Sequence, residues 1–475
     1  MEYQKLIACH ECDLLFRKPA RARGLVALCS RCGANLKGIH GAGLPFDWIC
    51  AVTVAALITF FIAQAFPVIE LKANGMASEA TLFGAVRSLW TGDMRIVAMM
   101  VFCSSILFPL IELLAFLYVL VPLRVGRLPP HFNGMLRVVQ LVRPWGMVEV
   151  FMLGVLITIV KMVSVAQVIP GTGLFAFGAL TLMLGVLTAF DPGGLWDMCD
   201  EMKLHRPAGV RWSRASHRGA GPGSTYGGRK NRSTAYVTAK HAGLVACHTC
   251  GLVQTRGGEP HQHCSRCESV LHERRPESVT RTSSLLLAAA LAYVPANLLP
   301  IMHASSLGRS EDDTILGGVA YFWTSGDWPL AVIVFVASVV VPMLKLAILT
   351  LQTVAACRDS AWQPLERARL HRLVERVGRW SMLDVFVVAL TVTLVHFGSF
   401  AVVTAGPGAL AFGAVVILTM LASHQFDPRL IWDNIQPRRS FPTMNECSFA
   451  APKASNKLKP VKKSPSDASS QCPRP

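Results

Sequence analysis

The sequence predicts an all-α polytopic membrane protein in which eight transmembrane helices form two parallel four-helix repeats, accompanied by two small cysteine-rich β modules. The chain of 475 residues is 52% hydrophobic and only 16% charged, with a mean hydropathy of +0.42, whereas soluble domains carry about 25% charged residues. Its apolar residues are gathered into long blocks, and its C-x-x-C pairs and several other motifs occur twice. This composition excludes a soluble globular enzyme.

Eight apolar blocks account for the predicted helices. Each has about 17 to 28 residues, long enough to cross roughly 30 Å of hydrocarbon at 1.5 Å per residue. Strands of a membrane barrel would instead alternate over about ten residues. The predicted spans are 48–69, 96–123, 147–169, 174–190, 285–302, 329–356, 382–403 and 409–426.

The charges between the blocks predict the orientation. The net charge is +17, and the segment 124–146 carries four arginines and no acid, whereas 303–328 carries one arginine against four acids. The matching segment 357–381 carries six arginines. Since loops rich in Lys and Arg stay in the cytoplasm, we expect both termini and both cysteine modules there. In a membrane protein this charge marks cytoplasmic loops, so we expect no nucleic-acid partner.

The motifs recur at an offset of 233 to 238 residues, which indicates an internal duplication. W-G-M-V-E-V-F at 145–151 matches W-S-M-L-D-V-F at 380–386, and F-D-P-x-x-[LI]-W-D occurs at 190–197 and 426–433. Four crossings return the chain to its starting side, so the two repeats are expected to be parallel rather than inverted.

The chain is therefore expected to divide into six segments. The linker and the tail are basic and poor in apolar residues, and are predicted to be disordered. The segments are cysteine module 1 (1–45), four-helix repeat 1 (46–202), the linker (203–240), cysteine module 2 (241–275), four-helix repeat 2 (276–436) and the tail (437–475).

Each module contains four cysteines with metal-ligand spacing, C-x2-C-x16-C-x2-C in the first and C-x2-C-x13-C-x2-C in the second. We expect two knuckles, separated by a small β-hairpin, to bring four thiolates around one ion. Thiolates suit zinc at about 2.3 Å, and a closed four-cysteine shell is structural rather than catalytic. The prediction is two zinc-ribbon modules with one zinc each, and a rubredoxin-like iron centre is the alternative. The ligands are Cys9, Cys12, Cys29, Cys32, Cys247, Cys250, Cys264 and Cys267.

With these motifs the sequence resembles the paraquat-inducible protein A family, bacterial inner-membrane proteins of the lipophilic envelope-spanning tunnel A type. The resemblance covers about residues 5–435, including both cysteine modules. It implies a multi-pass protein of the bacterial inner membrane that takes part in lipid transport between membranes and maintains the envelope barrier. It also implies membrane lipids and a periplasmic tunnel protein with mammalian-cell-entry (MCE) domains as partners.

The residues themselves agree with a protein that is not an enzyme. The sequence has no G-x-x-x-x-G-K-[ST] phosphate loop, no H-E-x-x-H and no G-x-S-x-G. Two alternatives to lipid transport stay open. One is a proton-coupled exporter of small amphiphiles, and the other is a membrane redox protein with iron in its cysteine modules.

Polar residues within the predicted spans are candidates for lipid handling, because an ionised group at mid-bilayer costs several kcal/mol unless it is paired or hydrated. We expect Lys345 to pair with Asp384. We expect Lys161 and His396 to line a polar cavity that opens to the periplasmic side, with structural pairing within the repeats as the alternative. The candidates are Gln64, Glu112, Glu149, Lys161, Asn297, Lys345, Asp384 and His396.

Two further pairs of residues have more than one interpretation. Gln64 and Asn297 each lie three residues before a proline, where either a broken helix lining a cavity or a simple helix end is expected. Asp197 and Asp433 end the two F-D-P-x-x-[LI]-W-D segments. They are expected to cap the helix end and dock to the following loop, or alternatively to bind an arginine-rich loop or a cysteine module.

Overall fold

A computed structural model describes most of the chain. The described residues are 6–17, 26–36, 46–73, 76–92, 95–163, 167–190, 193–205, 237–257, 262–306, 309–326, 328–378, 383–394, 401–433 and 449–450. Most of the predicted linker and tail therefore lies outside the described residues.

Helices dominate both halves. In the first half they are α1 (Phe46–Ala65), α2 (Leu82–Thr91), α3 (Arg95–Phe102), α4 (Phe108–Arg124), α5 (Phe132–Val142), α6 (Val148–Val163), α7 (Thr172–Ala189) and α8 (Gly193–His205). In the second half they are α9 (Ser278–Leu298), α10 (Ile315–Thr324), α11 (Trp328–Phe335), α12 (Val341–Cys357), α13 (Pro364–Val377), α14 (Leu383–Leu394), α15 (Pro407–Gln425) and α16 (Leu430–Asp433).

The strands are short. They are β1 (Leu6–Ala8), β2 (Leu15–Arg17), β3 (Val26–Ala27), β4 (Ile69–Ala73), β5 (Met76–Ala80), β6 (Gln167–Pro170), β7 (Leu244–Ala246), β8 (Val253–Thr255), β9 (Met302–Ser306), β10 (Arg309–Asp313), β11 (Ala401–Ala405) and β12 (Phe449–Ala450). Two antiparallel three-stranded sheets have the orders β5-β4-β6 and β10-β9-β11.

The chain is a multi-pass membrane protein. Among the described residues, six helical runs are long and apolar enough to cross a bilayer, so the prediction of eight spans is not confirmed. Two further apolar helices are shorter, and α14 is described over twelve residues. The six runs are Asp47–Ala65, Arg95–Arg124, Phe132–Val160, Ser278–Leu298, Ala331–Cys357 and Pro407–Asp433.

Several predicted spans are longer than the helices that form, because their last residues belong to strands. The span 147–169 is helical to Val163 and then forms β6, and the span 382–403 ends in β11. β6 pairs with β4, which follows α1, and β11 pairs with β9, which follows α9. Runs of Val and Ile favour strand as readily as helix, and length alone extended the predicted helices. Each sheet lies at the end of α1 or α9 away from the cysteine modules, and we call this end the sheet side and the other the module side.

One glycine in each half allows two helices to come close together on the sheet side. The N–H of Gly173 donates to Pro67 O at 3.0 Å, and the N–H of Gly408 donates to Pro300 O at 2.9 Å. A Cβ atom on Gly173 would lie 2.5 Å from Phe66 O, and one on Gly408 would lie 2.6 Å from Leu299 O. The start of α7 therefore comes close to the end of α1, and the start of α15 to the end of α9, only because these two positions carry no side chain.

The prolines within the second predicted span of each half adjoin an irregular helical turn. Each lies just after a π-helical turn, Cys103–Leu107 before Pro109 and Val336–Val340 before Pro342. The wider turn leaves the Ser104 carbonyl to accept from the Met147 N–H at 3.3 Å. A backbone group freed near a proline is thus satisfied by the next helix of the bundle.

The two halves meet through α6 and α14. Phe151 and Phe386 stand edge to face with ring centroids 5.5 Å apart. These are the last residues of the two W-x-M-x-[ED]-V-F motifs, so the motif that recurs in the sequence supplies both sides of the contact. α14 also packs against α2 and α3.

The predicted loops 124–146 and 357–381 each contain a helix that was not predicted. α5 lies within the predicted loop 124–146, and α13 lies within 357–381. α5 buries Leu136, Val139 and Val142 on one face, as an amphipathic helix does. These helices hold the cysteine modules.

Candidate metal centres and the cavity between the halves

All four C-x-x-C segments fold into the same knuckle. The residue after the second cysteine has a positive φ, and its N–H donates to the carbonyl of the first cysteine at 2.7 to 3.0 Å. Such a turn points both thiols of a pair to one side. The residues with positive φ are Asp13 (62°), Gly33 (72°), Gly251 (73°) and Glu268 (61°).

Each module gathers its four sulfur atoms at one point. All eight cysteines are buried, and within each set the sulfurs lie within 4.8 Å of one another. The shortest separations are 3.5 Å for Cys9–Cys32 and Cys12–Cys29 in module 1. In module 2 they are 3.6 Å for Cys247–Cys267 and 3.5 Å for Cys250–Cys264. Four thiolates at about 2.3 Å from one ion are separated by about 3.8 Å, so both sets fit a metal ion.

The thiols within each set differ in acidity, and the neighbouring thiols raise the pKa of Cys12 and of Cys250. Hydrogen bonds from the neighbouring thiols lower the pKa of Cys29 in module 1 and of Cys247 in module 2. Ligation of a cation requires the deprotonated form of the thiol. In a cluster that already favours a thiolate, the free-energy cost of this deprotonation is smaller.

The predicted position of the hairpin was wrong. β1 and β2 pair on either side of Cys9–Cys12, and β7 and β8 pair on either side of Cys247–Cys250. The knuckle is therefore the tip of the hairpin, and the hairpin does not separate two knuckles. Spacing alone shows which residues converge and not which residues pair.

Module 1 docks on the second half of the chain. Arg372 on α13 donates to Cys32 O at 2.8 Å, and its Nε lies 3.6 Å from Glu11 Oε2. The Arg31 guanidinium lies 4.6 Å from the ring centroid of Trp432 on α16, a favourable cation–π arrangement.

Module 2 docks on the first half. Arg137 on α5 donates to Cys267 O, and Gln140 donates to Thr249 O at 2.9 Å. Arg266 of the module pairs with Asp197 on α8 at 2.6 Å. For Asp197, the alternative that it binds a cysteine module is the one observed.

The docking contacts match between the halves. The two arginines are 235 residues apart (372 − 137), and so are the two cysteines whose carbonyls they bind (267 − 32). Sequence reasoning did not find Arg137 or Arg372 as functional residues. The shared offset was the available signal, but each arginine was counted only as a loop charge.

The modules also contact each other. Asp13 in module 1 is 3% exposed and accepts from the Lys240 N–H at 3.1 Å and from Arg274 at 3.4 Å. Arg274 also pairs with Asp433 at 2.6 Å. Burial raises the pKa of Asp13, although the neighbouring Arg274 and Arg429 guanidinium groups act against that shift.

His248 joins module 2 to the second half. Its Nε2 accepts from Arg429 Nη2 at 2.6 Å. Burial and the Arg429 charge lower its pKa to about 4, so the imidazole is neutral at pH 7. His248 therefore lies beside the four-cysteine cluster of module 2 as a docking residue.

A cavity of about 1790 Å³ lies between the two halves and the two modules. Half 1 contributes Glu112 and Thr188, half 2 contributes Gly378 and His424, and both modules contribute their first knuckle. Its walls mix charged and apolar side chains.

The intramembrane candidates divide between pairs and single polar groups. Glu112 is 4% exposed, and its Oε1 lies 3.6 Å from Arg143 Nε. Lys345 is 2% exposed and donates to Gly378 O at 3.4 Å. Glu149 is exposed at the start of α6 and lines the cavity.

The predicted contacts of three candidates are not described. Lys161 lies in α6 and Asp384 in α14, but their side chains are outside the described part, as is all of His396. The pairing of Lys345 with Asp384 therefore stays a prediction, as does the polar cavity of Lys161 and His396.

Gln64 and Asn297 are partly buried near the ends of α1 and α9. Asn297 donates to Tyr293 O at 2.9 Å, one turn back in its own helix. The Nε2 of Gln64 is buried and has no hydrogen-bond partner among the described residues. α1 ends before Pro67 and α9 ends before Pro300. Of the two interpretations, a simple helix end therefore describes their backbone.

The relatives of this chain are transport proteins by name. Intermembrane transport protein PqiA of Escherichia coli K12 is 33% identical over 90% of this chain and 96% of its own length. Lipophilic envelope-spanning tunnel protein A of the same organism is 29% identical over 91% of each chain. A probable intermembrane transport protein of Haemophilus influenzae is 29% identical over 90% of this chain and 96% of its own. No solved structure matches the chain.

One family model matches the sequence twice. Residues 46–200 and 279–436 match the model for paraquat-inducible protein A. Together the two matches take in more than half of the chain and contain both W-x-M-x-[ED]-V-F motifs. The chain therefore belongs to the paraquat-inducible protein A family.

Proposed function

We propose that this chain is an inner-membrane component of an intermembrane lipid-transport system. It passes lipid to or from a periplasmic MCE-domain tunnel protein and thereby maintains the integrity of the envelope. The observation that carries the proposal is the similarity, over 90% of the chain, to proteins named for intermembrane transport and for a lipophilic envelope-spanning tunnel. The role is transport rather than catalysis.

We propose that the module side, with both termini, faces the cytoplasm and that the two sheets face the periplasm. The arginines of α5 and α13 support this orientation, since basic segments stay inside. The sheets would then lie where a periplasmic partner can reach them.

We propose that the two halves are parallel four-helix repeats. The paired contacts of Arg137 and Arg372, and the contact between Phe151 and Phe386, support a pseudo-two-fold relation. The domain boundaries given above follow from this division.

We propose that each four-cysteine set binds one zinc ion. Four buried sulfurs leave no open coordination position, so the ion would hold the module's fold rather than take part in chemistry. The cysteines themselves fix the two knuckles of each module relative to each other and present their carbonyls to α5 and α13. Iron in these sites would instead favour a redox role.

Within the membrane, Lys345 and Asp384 are proposed as a pair, and Lys161 with His396 as the lining of a polar cavity. Lys161 would then meet the phosphate of a lipid headgroup. The burial of Lys345 supports this assignment, since an amine that is 2% exposed needs a strong acceptor.

The test is to purify the full chain with its periplasmic partner and to identify co-purified lipid by mass spectrometry. Phospholipid bound to the complex, and loss of the envelope barrier in a deletion strain that the gene restores, are the expected results. A complex free of lipid, with export of small amphiphiles that requires a proton gradient, would contradict the proposal.

A further inference from the structure

The two cysteine modules cross over. Module 1 precedes the first half in the chain but docks on α13 and α16 of the second half, and module 2 docks on α5 and α8 of the first. Each half is thus held by the module that belongs to the other. Asp13, Lys240 and Arg274 join the modules between these docking sites.

The crossed modules form one wall of the cavity between the halves. Leu6–Glu11 of module 1 and Ala246–Leu252 of module 2 line it on the module side. Glu112 and Gly146 of the first half and Gly378 and Met420 of the second line it toward the membrane. α8 and α13, on which the modules dock, line the same side of this space with Asp197 and Glu375.

We infer that the two modules are a crossed latch that holds the ends of the halves together and walls the cavity off from the cytoplasm. The inference rests on the proposed binding of metal. Arg137 and Arg372 donate hydrogen bonds to the carbonyls of two ligand cysteines, Cys267 and Cys32. Those carbonyls have fixed positions only while the knuckle is folded. Since so small a module needs its ion to fold, loss of metal releases both halves at once.

The two docking arginines can be replaced without changing the cysteines of the metal sites. Arg137 and Arg372 are partly buried and lie at the edge of the buried face of an amphipathic helix. Their replacement therefore leaves the buried faces of α5 and α13 intact. The cysteine ligands are untouched by these changes. Arg137→Gln/Arg372→Gln therefore weakens docking while both metal sites stay complete.

The experiment measures how fast a reporter cysteine in the cavity reacts with a membrane-impermeant maleimide. The full chain, in lipid nanodiscs, carries Thr188→Cys at the end of α7, an exposed position that lines the cavity. Ala361→Cys, exposed in the turn before α13, is the matched reporter outside it. Labelling is read site by site by mass spectrometry. The six cysteines outside the metal sets are replaced by alanine: Cys50, Cys103, Cys199, Cys357, Cys447 and Cys472.

We expect Thr188→Cys to react slowly in the metal-loaded chain. Arg137→Gln/Arg372→Gln, or removal of metal by a chelator, raises its rate at least about tenfold, which corresponds to about 1.4 kcal/mol in the opening equilibrium. Ala361→Cys keeps its rate in every case. Arg281→Gln, which removes an exposed arginine on α9 that pairs with Glu277 outside the cavity lining, is the control substitution and leaves both rates unchanged.

An unchanged Thr188→Cys rate in the double variant, with two metal ions still bound and the elution profile of the intact chain, would overturn the latch. Purified chain without metal would overturn the metal sites, and the arginine comparison would still decide whether the modules wall the cavity. The two failures are therefore distinguishable.

Discussion

At the scale of single residues, Cys9 and Cys264 each supply one corner of a four-sulfur site. Replacing either with Ser should remove about one metal ion per chain and lower protein abundance, because metal binding is coupled to folding. Metal is counted by mass spectrometry of the elements in purified protein, which also separates zinc from iron. Cys357→Ser, at an exposed position outside both sets, is the control. Full metal content in both ligand variants would refute the sites.

Lys345 is a second residue whose removal is informative. Methionine keeps most of its volume and removes a charge that is costly to bury. We expect Lys345→Met to reach normal abundance and to fail to restore the envelope barrier in a deletion strain. The adjacent exposed Leu344→Met is the control. A loss of abundance in Lys345→Met would indicate a structural pair, and full function would refute any role.

The cysteines of the two sulfur sets were predictable one by one, whereas the residues that dock the modules were not. The cysteines follow a local spacing, so four positions within about 25 residues define each site. Arg372 binds Cys32, which is 340 residues away in the chain. No local period connects two such residues, and only the folded chain brings them together.

At the scale of elements, the glycines that open α7 and α15 set how closely neighbouring helices approach. We expect Gly173→Ala and Gly408→Ala each to destabilise the chain by at least about 2 kcal/mol, since overpacking commonly costs about 1–3 kcal/mol. The measurement is the thermal unfolding midpoint in detergent. Gly185→Ala, in α7 with open space around it, should be neutral or stabilising. Equal midpoints for Gly173→Ala and Gly185→Ala would contradict the close approach.

α13 differs from α5 by a buried polar contact. His371 is 2% exposed, and its Nδ1 lies 3.0 Å from Gln352 Oε1. Glu375 lies 3.6 Å from its Nε2, and the imidazole ring lies tilted against the ring of Phe426, with centroids 5.3 Å apart. Desolvation lowers the pKa of His371 despite the nearby carboxylate.

This contact predicts a pH dependence. A histidine whose folded pKa is lowered stabilises the fold above its unfolded pKa of about 6.5 and ceases to do so as pH falls through that value. At pH 5.5 the loss reaches up to about 1.4 kcal/mol. His371→Leu/Gln352→Val copies Leu136 and Val119 of the first half. Its unfolding midpoint should fall less between pH 7.5 and 5.5 than that of the native chain, and an equal fall would exclude His371 as the cause.

The elements that sequence reasoning missed have a common cause. β6 and β11 continue an apolar run, so their composition does not mark the end of the helix before them. α5 and α13 are amphipathic and lie in segments rich in arginine, so the composition of these segments indicates loops. In each case the structure depends on a partner strand or a docked module, which local pattern does not contain.

At the scale of the whole molecule, crossed docking predicts how a divided chain behaves. Expressed together as 1–205 and 237–475, the two parts should form a complex that purifies through a tag on one of them. Each part then carries the module that the other binds. The comparison is with 46–205 and 276–475, which lack both modules and keep the contact between α6 and α14. We expect recovery of the untagged part to fall several-fold without the modules, and equal recovery would contradict crossed docking.

The crossed docking also sets an order of events during synthesis. Module 1 is complete once Cys32 has emerged, but its docking partner Arg372 follows 340 residues later. At about 5–20 residues per second, this interval is roughly 20 to 70 s. Module 1 therefore stays on the ribosome-bound chain without a docking surface during this interval. The last described helix, α16, completes the docking surface of module 1, the first segment made, so a truncated chain exposes an undocked module by which it can be recognised as unfinished.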